Sequence, residues 1–347
     1  MNSFISFFKK SPAFSIALLL ALSFELFLEF YPNIDWIDPT GIYFTTYKRK
    51  KIESGGLKYP VLLVGDSRSL SLKGNTEIYN LSLPAAGPAY IPFLLEKYNA
   101  HNEKPKVLIY ALDPEQFANP PGLEFHKNKK VWETFKHRII YLFSPIENLG
   151  QYSGKDKYFI FKESLPILLP SFKHRDGLDS IFTDSKWKDW KEGNFGYSAK
   201  NKKLFQLVEN TEGQVNLGSY LKIPAFVTSE FIEKAFQEKL KELNGKQEVY
   251  LESMEGAYEF CKKNQIQMII LDVPRAKGLW NTAFFREYRK KLPIFLDSHP
   301  EVQYLQFLNP EYPLELFAEA IHFNQKGEER VNSEFYEQIW PTIRKQF

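Results

Sequence analysis

The sequence predicts an α/β protein built on a doubly wound, five-stranded parallel sheet. Short, fully apolar runs of strand length recur along the 347 residues, and stretches with helical spacing separate them. The 44% apolar and 25% charged fractions are those of an ordinary globular chain, not of a disordered, fibrous or polytopic membrane protein.

Taken in order, the first element stands apart. Residues 1–31 open with a short segment ending in Lys9-Lys10, and Pro12 to Phe30 then reads PAFSIALLLALSFELFLEF. As a helix this run would span about 28 Å, close to the hydrocarbon thickness of a bilayer. Basic residues followed by apolar ones fit an uncleaved N-terminal membrane anchor whose body is exported. A cleaved signal peptide and a buried core helix are the alternatives. Ala21-Leu22-Ser23 is only an approximate cleavage site, and Glu25 and Glu29 stand one turn apart. Residues 32–58, with Pro32, Pro39, the basic run Lys48-Arg49-Lys50-Lys51 and Gly55-Gly56, read as a linker.

The body follows in two halves, 59–117 and 246–347. Residues 59–64 (YPVLLV) form the first strand, 78–83 the second and 107–112 (VLIYAL) the third. Residues 266–273 (IQMIILDV) form the fourth and 302–308 (VQYLQFL) the fifth. Runs apolar on both faces are typical of buried parallel strands. Residues 89–100 read as a helix between the second and third strands. Tyr250, Met254, Ala257, Tyr258 and Cys261 mark a helix face before the fourth, and residues 328–345 make a closing helix. Residues 118–245 differ in character, with Trp132, Trp187, Trp190, His126, His137, His174 and a Lys-rich segment at 186–203. They read either as a lid over the carboxyl edge of the sheet, where such folds bind ligands, or as a small helical subdomain.

Composition excludes several functions. Lys plus Arg (45) against Asp plus Glu (42) gives a net charge of +3, too small for a protein that binds nucleic acid by neutralising phosphates. A single cysteine, Cys261, rules out an internal disulfide and a paired-cysteine metal or redox site. No phosphate-binding loop, dinucleotide fingerprint or HExxH motif occurs, so neither cofactor nor metal is expected.

Chemistry concentrates at two places. Val64-Gly65-Asp66-Ser67-Arg68 directly follows the first strand, which puts the Ser67 hydroxyl at the carboxyl edge of the sheet. A serine needs a base to become a nucleophile, and the base is most often a histidine oriented by a carboxylate. Near the other end, Glu319 and His322 are three residues apart in the run Phe317 to Gly327, within reach of each other across one helical turn or a tight loop. Arg275, in Asp272-Val273-Pro274-Arg275, is a candidate for an anionic substrate group, or else a partner of Asp272. Arg68 and Arg275 together would suit a phosphodiester.

The GDS triplet after the first strand, with acid-x-x-His-x-Asn-x-x-Gly near the C-terminus, resembles the SGNH (GDSL-type) hydrolase superfamily. The resemblance covers about residues 59–117 and 246–347. It implies a flavodoxin-like three-layer sandwich, with Ser67 as nucleophile, His322 as base and Glu319 as orienting acid. It implies that Gly87, in Asn80 to Gly87 after the second strand, helps hold the oxyanion, and it marks Asn324 as a further contact. With an anchor and a GDSR-type motif, the chain is most similar to the envelope branch, which includes proteins of teichoic-acid D-alanylation and alginate O-acetylation. Esterase or O-acyltransferase chemistry is implied, with an acylated glycan or lipid, the membrane and a membrane-bound acyltransferase as partners. Two departures stand out. Glu319 replaces the usual Asp, so its contact to His322 calls for a shifted backbone. Ala111-Leu112-Asp113-Pro114 replaces a Gly-x-Asn-Asp block, and an ionised Asp113 cannot donate to an oxyanion. Asp113 is therefore either a protonated donor or a residue with another task, and a non-catalytic binding or scaffolding module is the rival to an enzyme.

Overall fold

The computed structural model describes residues 12–30, 42–119 (apart from 85, 89 and 112), 150, 153–154, 157–158, 169, 171, 206–215 and 229–347. Among the described residues seven strands form in chain order: β1 (Val61–Val64), β2 (Ile78–Asn80), β3 (Val107–Tyr110), β4 (Gln267–Asp272), β5 (Arg275–Ala276), β6 (Gln303–Gln306) and β7 (Glu311–Tyr312). Five of them make one parallel sheet in the order β2-β1-β3-β4-β6, while β5 and β7 pair separately, also in parallel. Each large-sheet strand falls inside an apolar run of the sequence. All the residues of β1, β2 and β3 are buried, as the continuous Val, Ile, Leu and Tyr runs of β1 and β3 require of strands covered on both faces, and β2 ends on the buried Asn80. β6, an edge strand paired with β4, departs from this pattern: its Gln303, Tyr304, Leu305 and Gln306 are half-buried or exposed, whereas the other edge strand, β2, is buried throughout.

The helices are α1 (Pro12–Phe30), α2 (Ile42–Glu53), α3 (Tyr90–His101), α4 (Ser229–Gly245), α5 (Glu255–Asn264), α6 (Ala283–Ser298), α7 (Gln325–Glu334) and α8 (Trp340–Arg344). A widened π turn at Phe335–Ile339 joins the last two. α3 packs against α2 and α5, α6 packs against α4, and α7 packs against the short turn Ser69–Ser71 that follows β1. The connections through α3, α5 and α6 all advance the same way across the sheet. Right-handed crossovers therefore place those three helices on one face. The connection out of β1 runs the opposite way, so the chain switches direction between β1 and β3. In such sheets, ligands bind in the crevice beyond the carboxyl ends of the strands at this switch point.

Three sequence readings change here. The stretch 32–58 is not simply a linker, because α2 occupies much of it. Phe44, Lys48 and Ile52 recur at four-residue spacing and are wholly buried, so α2 belongs to the body. The transmembrane reading of α1 is unsupported: among the described residues no helix is long and apolar enough to cross a membrane. Its apolar run is interrupted by Glu25 and Glu29, and the Glu25 carboxylate accepts hydrogen bonds from the amide, at 2.9 Å, and the hydroxyl of Ser171. α1 nevertheless leaves Phe14, Ile16, Leu19, Leu20, Leu26 and Phe27, among other large apolar side chains, in solvent. Finally, the described parts of 118–245 are not separate from the sheet. Val208, Val215, Phe236 and Leu243 join the same buried cluster as the strands. Trp132, Trp187, Trp190, His126, His137, His174 and the Lys-rich segment lie outside the described residues.

Candidate active site

The nucleophile candidate sits where β1 stops. Gly65 lets the chain fold back tightly, since a Cβ there would lie 2.6 Å from the Ala111 carbonyl oxygen and collide with the Ser69 side chain. The turn then leads through Asp66 and Ser67 into Ser69–Ser71. The Asp66 carboxylate accepts the Arg68 amide at 2.9 Å, and the Ser69 hydroxyl donates to the Ala111 carbonyl. Asn80, at the end of β2, donates from its side-chain amide to the Ser69 and Leu72 carbonyls at 2.8 and 2.6 Å. Ser67 is left half-buried at the carboxyl edge of the sheet.

His322 reaches it from the far end of the chain. Phe317 and Phe323 form an antiparallel bridge and are fully buried, their rings 4.9 Å apart. The Ala318 amide donates to the His322 carbonyl at 2.8 Å. This tight loop, rather than a helical turn, sets Glu319 beside His322. Asn324 caps α7 by accepting the Gly327 amide at 3.0 Å, and its own amide donates to the Glu315 carbonyl at 2.7 Å. It is therefore a buttress of the loop, and its polar groups are already used. Gly327 is required because a Cβ there would run into the Leu316 carbonyl.

The three side chains line up. Ser67 Oγ lies 2.7 Å from His322 Nε2, and His322 Nδ1 is hydrogen-bonded to a Glu319 carboxylate oxygen. A carboxylate accepts only, so Nδ1 carries the proton and Nε2 is left free to accept from the Ser67 hydroxyl. Glu319 meets the imidazole despite its extra methylene, because the loop between the two phenylalanines fits the longer side chain.

Beneath the serine lies a buried charge network that explains the altered Asn block. Arg68 donates to Asp113 Oδ2 at 2.5 Å and to the Pro274 carbonyl at 2.9 Å. Asp113 Oδ1 accepts the Glu115 amide at 3.2 Å, starting the short turn Pro114–Ala118. Burial alone would push the Asp113 carboxyl up, but the guanidinium groups of Arg68 and Arg275 outweigh it and hold Asp113 below the ordinary range. Of the two tasks left open by the sequence, this geometry fits the second: Asp113 is the buried partner of Arg68, not a protonated donor. Asp66 goes the other way. Burial, then the charge of Asp113, raises it to about 6 against the pull of Arg68. Its second oxygen accepts from the Gln116 side chain at 3.3 Å.

Arg68 and Arg275 do not face a substrate either. Arg68 is spent on Asp113 and the Pro274 carbonyl. Arg275 is 1% exposed, pairs with Asp272 at 3.1 Å and stacks over the rings of Trp280 and Phe285 at 4.5 and 4.6 Å. That removes the pair of cations on which a phosphodiester reading depended. Gly87 is buried in the segment between β2 and α3, and the Leu83 amide of that segment donates to the Gly65 carbonyl at 3.1 Å. The amides of Ser67 and Gly87 take part in none of the backbone hydrogen bonds of the described turns and loops. Among the described residues, no group of three or more His, Cys, Asp or Glu side chains is arranged to hold a metal ion.

Two contributors went unread in the sequence. In the sequence Asn80 only opens the run that leads to Gly87, and Lys48 only belongs to a basic run. Lys48 donates to the Asn80 and Ser82 carbonyls, at 2.8 Å each. The signal for Lys48 was its place in the Phe44-Lys48-Ile52 stripe. Compared with known protein families and with curated proteins, the chain matches none.

Proposed function

We propose that this chain is a serine-dependent acyl esterase or O-acyltransferase of SGNH type, acting on an acylated glycan or lipid of the cell envelope. The observation that carries the reading is the continuous hydrogen-bonded chain Ser67–His322–Glu319 at the switch point of the sheet. In this reading Ser67 Oγ attacks an acyl carbonyl while its proton passes to His322 Nε2. Glu319 steadies the imidazolium, and the Ser67 and Gly87 amides face the oxyanion. Collapse of the tetrahedral adduct sends the His322 proton to the leaving alkoxide and leaves the acyl group on Ser67. Water then completes hydrolysis, or a sugar hydroxyl completes transfer, with His322 as base.

A specific observation favours the rival binding module: Asp113, which the resemblance aligns with an oxyanion Asn, is instead buried in an ion pair with Arg68. Labelling of the purified protein with a fluorophosphonate separates the two. An adduct on Ser67, absent in Ser67→Ala, supports the enzyme. A folded wild type with neither adduct nor turnover of a short aryl acetate means that the chain binds its glycan without altering it.

The same proposal places the body outside the cytoplasm, attached through α1 and working beside a membrane-bound acyltransferase. The support is Lys9-Lys10 ahead of an apolar helix that leaves Phe14, Ile16, Leu19, Leu20, Leu26 and Phe27 in solvent. Alkaline phosphatase fused after residue 58 should be active. Activity only from a cytosolic reporter at that point would overturn this placement.

A further inference from the structure

Lys48 is 0% exposed, on a helix that the sequence presents as a charged connector. A buried amine is costly unless its donors are satisfied, and no carboxylate among the described residues pairs with this one. Its Nζ donates to the Asn80 and Ser82 carbonyls, both at 2.8 Å, and lies 4.8 Å from the Phe44 ring centroid. Burial drives its ionisation well below that of a free lysine. A neutral amine has two N–H groups, and two carbonyls take them.

Those two carbonyls bracket the exit of β2. Between them the chain makes a close turn in which the Ser82 amide donates to Asn80 Oδ1 at 2.9 Å. The Asn80 side chain grips the turn that follows the nucleophile, through the Ser69 and Leu72 carbonyls. Three residues beyond Ser82 begins the run that carries Gly87, and Leu83 ties it to Gly65. Lys48 thus holds from behind a point where the nucleophile turn and the Gly87 segment are joined through Asn80. A hydrocarbon stem ending in a donor pair reaches this point from α2, and the segment 206–215 closes over it. A Cβ on Gly213, which has φ +72°, would lie 3.0 Å from Lys48 Cγ.

We infer that Lys48 is a positioning residue, whose amine fixes the β2 exit so that the Gly87 amide and Ser67 keep the spacing acyl transfer needs. The inference rests on the hydrolase reading above. It also makes α2 a part of the catalytic body rather than a tether. Removing the amine loosens the Gly87 segment while leaving the Ser67–His322 contact, made from other elements, in place.

The test is steady-state kinetics of the full chain with a short aryl acetate, comparing wild type, Lys48→Met and the exposed neighbour Lys50→Met. Lys48→Met should lower kcat by about 10- to 100-fold, as expected for a displacement of about 1 Å at the reacting centre. KM should change less than about twofold, and the limb of the pH–rate profile should not move, because the serine–histidine pair is intact. Lys50→Met should behave as wild type. Should Lys48→Met not accumulate as folded protein, Lys48→Gln, which keeps an N–H pair on a shorter stem, takes its place with the same expectation. A loss that only follows the fraction of unfolded protein, or a variant as active as wild type, overturns the role of Lys48 alone. An inert wild type defeats the hydrolase reading, and this inference falls with it.

Discussion

Ser67 Oγ and His322 Nε2 meet at 2.7 Å although 255 residues separate them in the chain. Neither position is set by local sequence preference. The serine is carried by a turn that Gly65 permits, and the histidine by a loop pinned between two buried phenylalanines. If the pair shares one proton-transfer step, the two residues act as a unit. Ser67→Ala and His322→Ala should each lower turnover of an aryl acetate by about 10⁴-fold or more, and the double variant should be little worse than either. Losses that multiply in the double variant would mean two independent roles, and the triad assignment would fail.

The carboxylate of Glu319 gives a finer test. In the proposed mechanism its work is to keep the proton on His322 Nδ1 and to stabilise the imidazolium. Glu319→Gln keeps the shape but removes the charge and presents a donor to the ring in one of its two orientations. It should cost about 10⁴-fold in kcat, nearly as much as Glu319→Ala. Glu319→Asp introduces the acid usual in the SGNH hydrolases that the motifs resemble, yet the loop between Phe317 and Phe323 is fitted to the longer side chain. A carboxylate drawn back by one methylene should lower kcat by about 10- to 100-fold. Activity equal to wild type in Glu319→Asp would show that the loop adapts freely, contrary to its two buried anchors.

How much of this was legible beforehand follows from what each residue depends on. β1, β3 and the centre of β4 were visible because strands buried on both faces carry continuous apolar runs. The Glu319–His322 spacing was visible because both residues lie in one short segment. β5 and β7 were not, since two-residue strands leave no periodic signal. α6 carries Phe284, Phe285, Tyr288, Leu292 and Phe295 on a buried face, but Pro293 and its charged run obscured the pattern. Asp113 could not be read from its neighbours at all, because its partner Arg68 is 45 residues away. Lys48 was read as charge because it sits among charges, and only helical phase, measured from Phe44 to Ile52, separates it from the exposed Lys50.

Asp66 predicts a pH dependence of stability. Its carboxyl is raised by burial, then by Asp113, to about 6, against an ordinary value of 3.8. Between these values the folded state keeps a proton that the unfolded chain has released. The contribution of this group is therefore fully present below about pH 3.8 and lost as the pH rises through about 6. Asp66→Asn is uncharged at every pH and still offers an oxygen to the Arg68 amide. It should raise Tm at pH 7.5 by about 2–4 °C and at pH 4.5 by clearly less. A lower Tm at pH 7.5 would show that the Asp66 charge is stabilising and that Arg68, rather than burial, governs it.

Asp113 supplies the sharpest contrast between resemblance and structure. By resemblance, Asp113→Asn should improve the site, since an amide could donate to the oxyanion. By structure it should do harm, because Asp113 and Arg68 are almost wholly buried against each other and the pair is held by further bonds to Glu115 and Pro274. Removing one charge of a buried pair strands the other, at a cost of about 3–5 kcal/mol, whereas replacing both by neutral groups is often close to neutral. Asp113→Asn and Arg68→Met should therefore each destabilise the fold by about that amount in urea titrations, and the double variant should recover most of the loss. Arg68 directly follows Ser67 and anchors the turn to the Pro274 carbonyl, so Asp113→Asn should also lose turnover rather than gain it. A gain in kcat from Asp113→Asn at unchanged stability would return this position to the oxyanion and remove the ion pair from the architecture of the nucleophile turn.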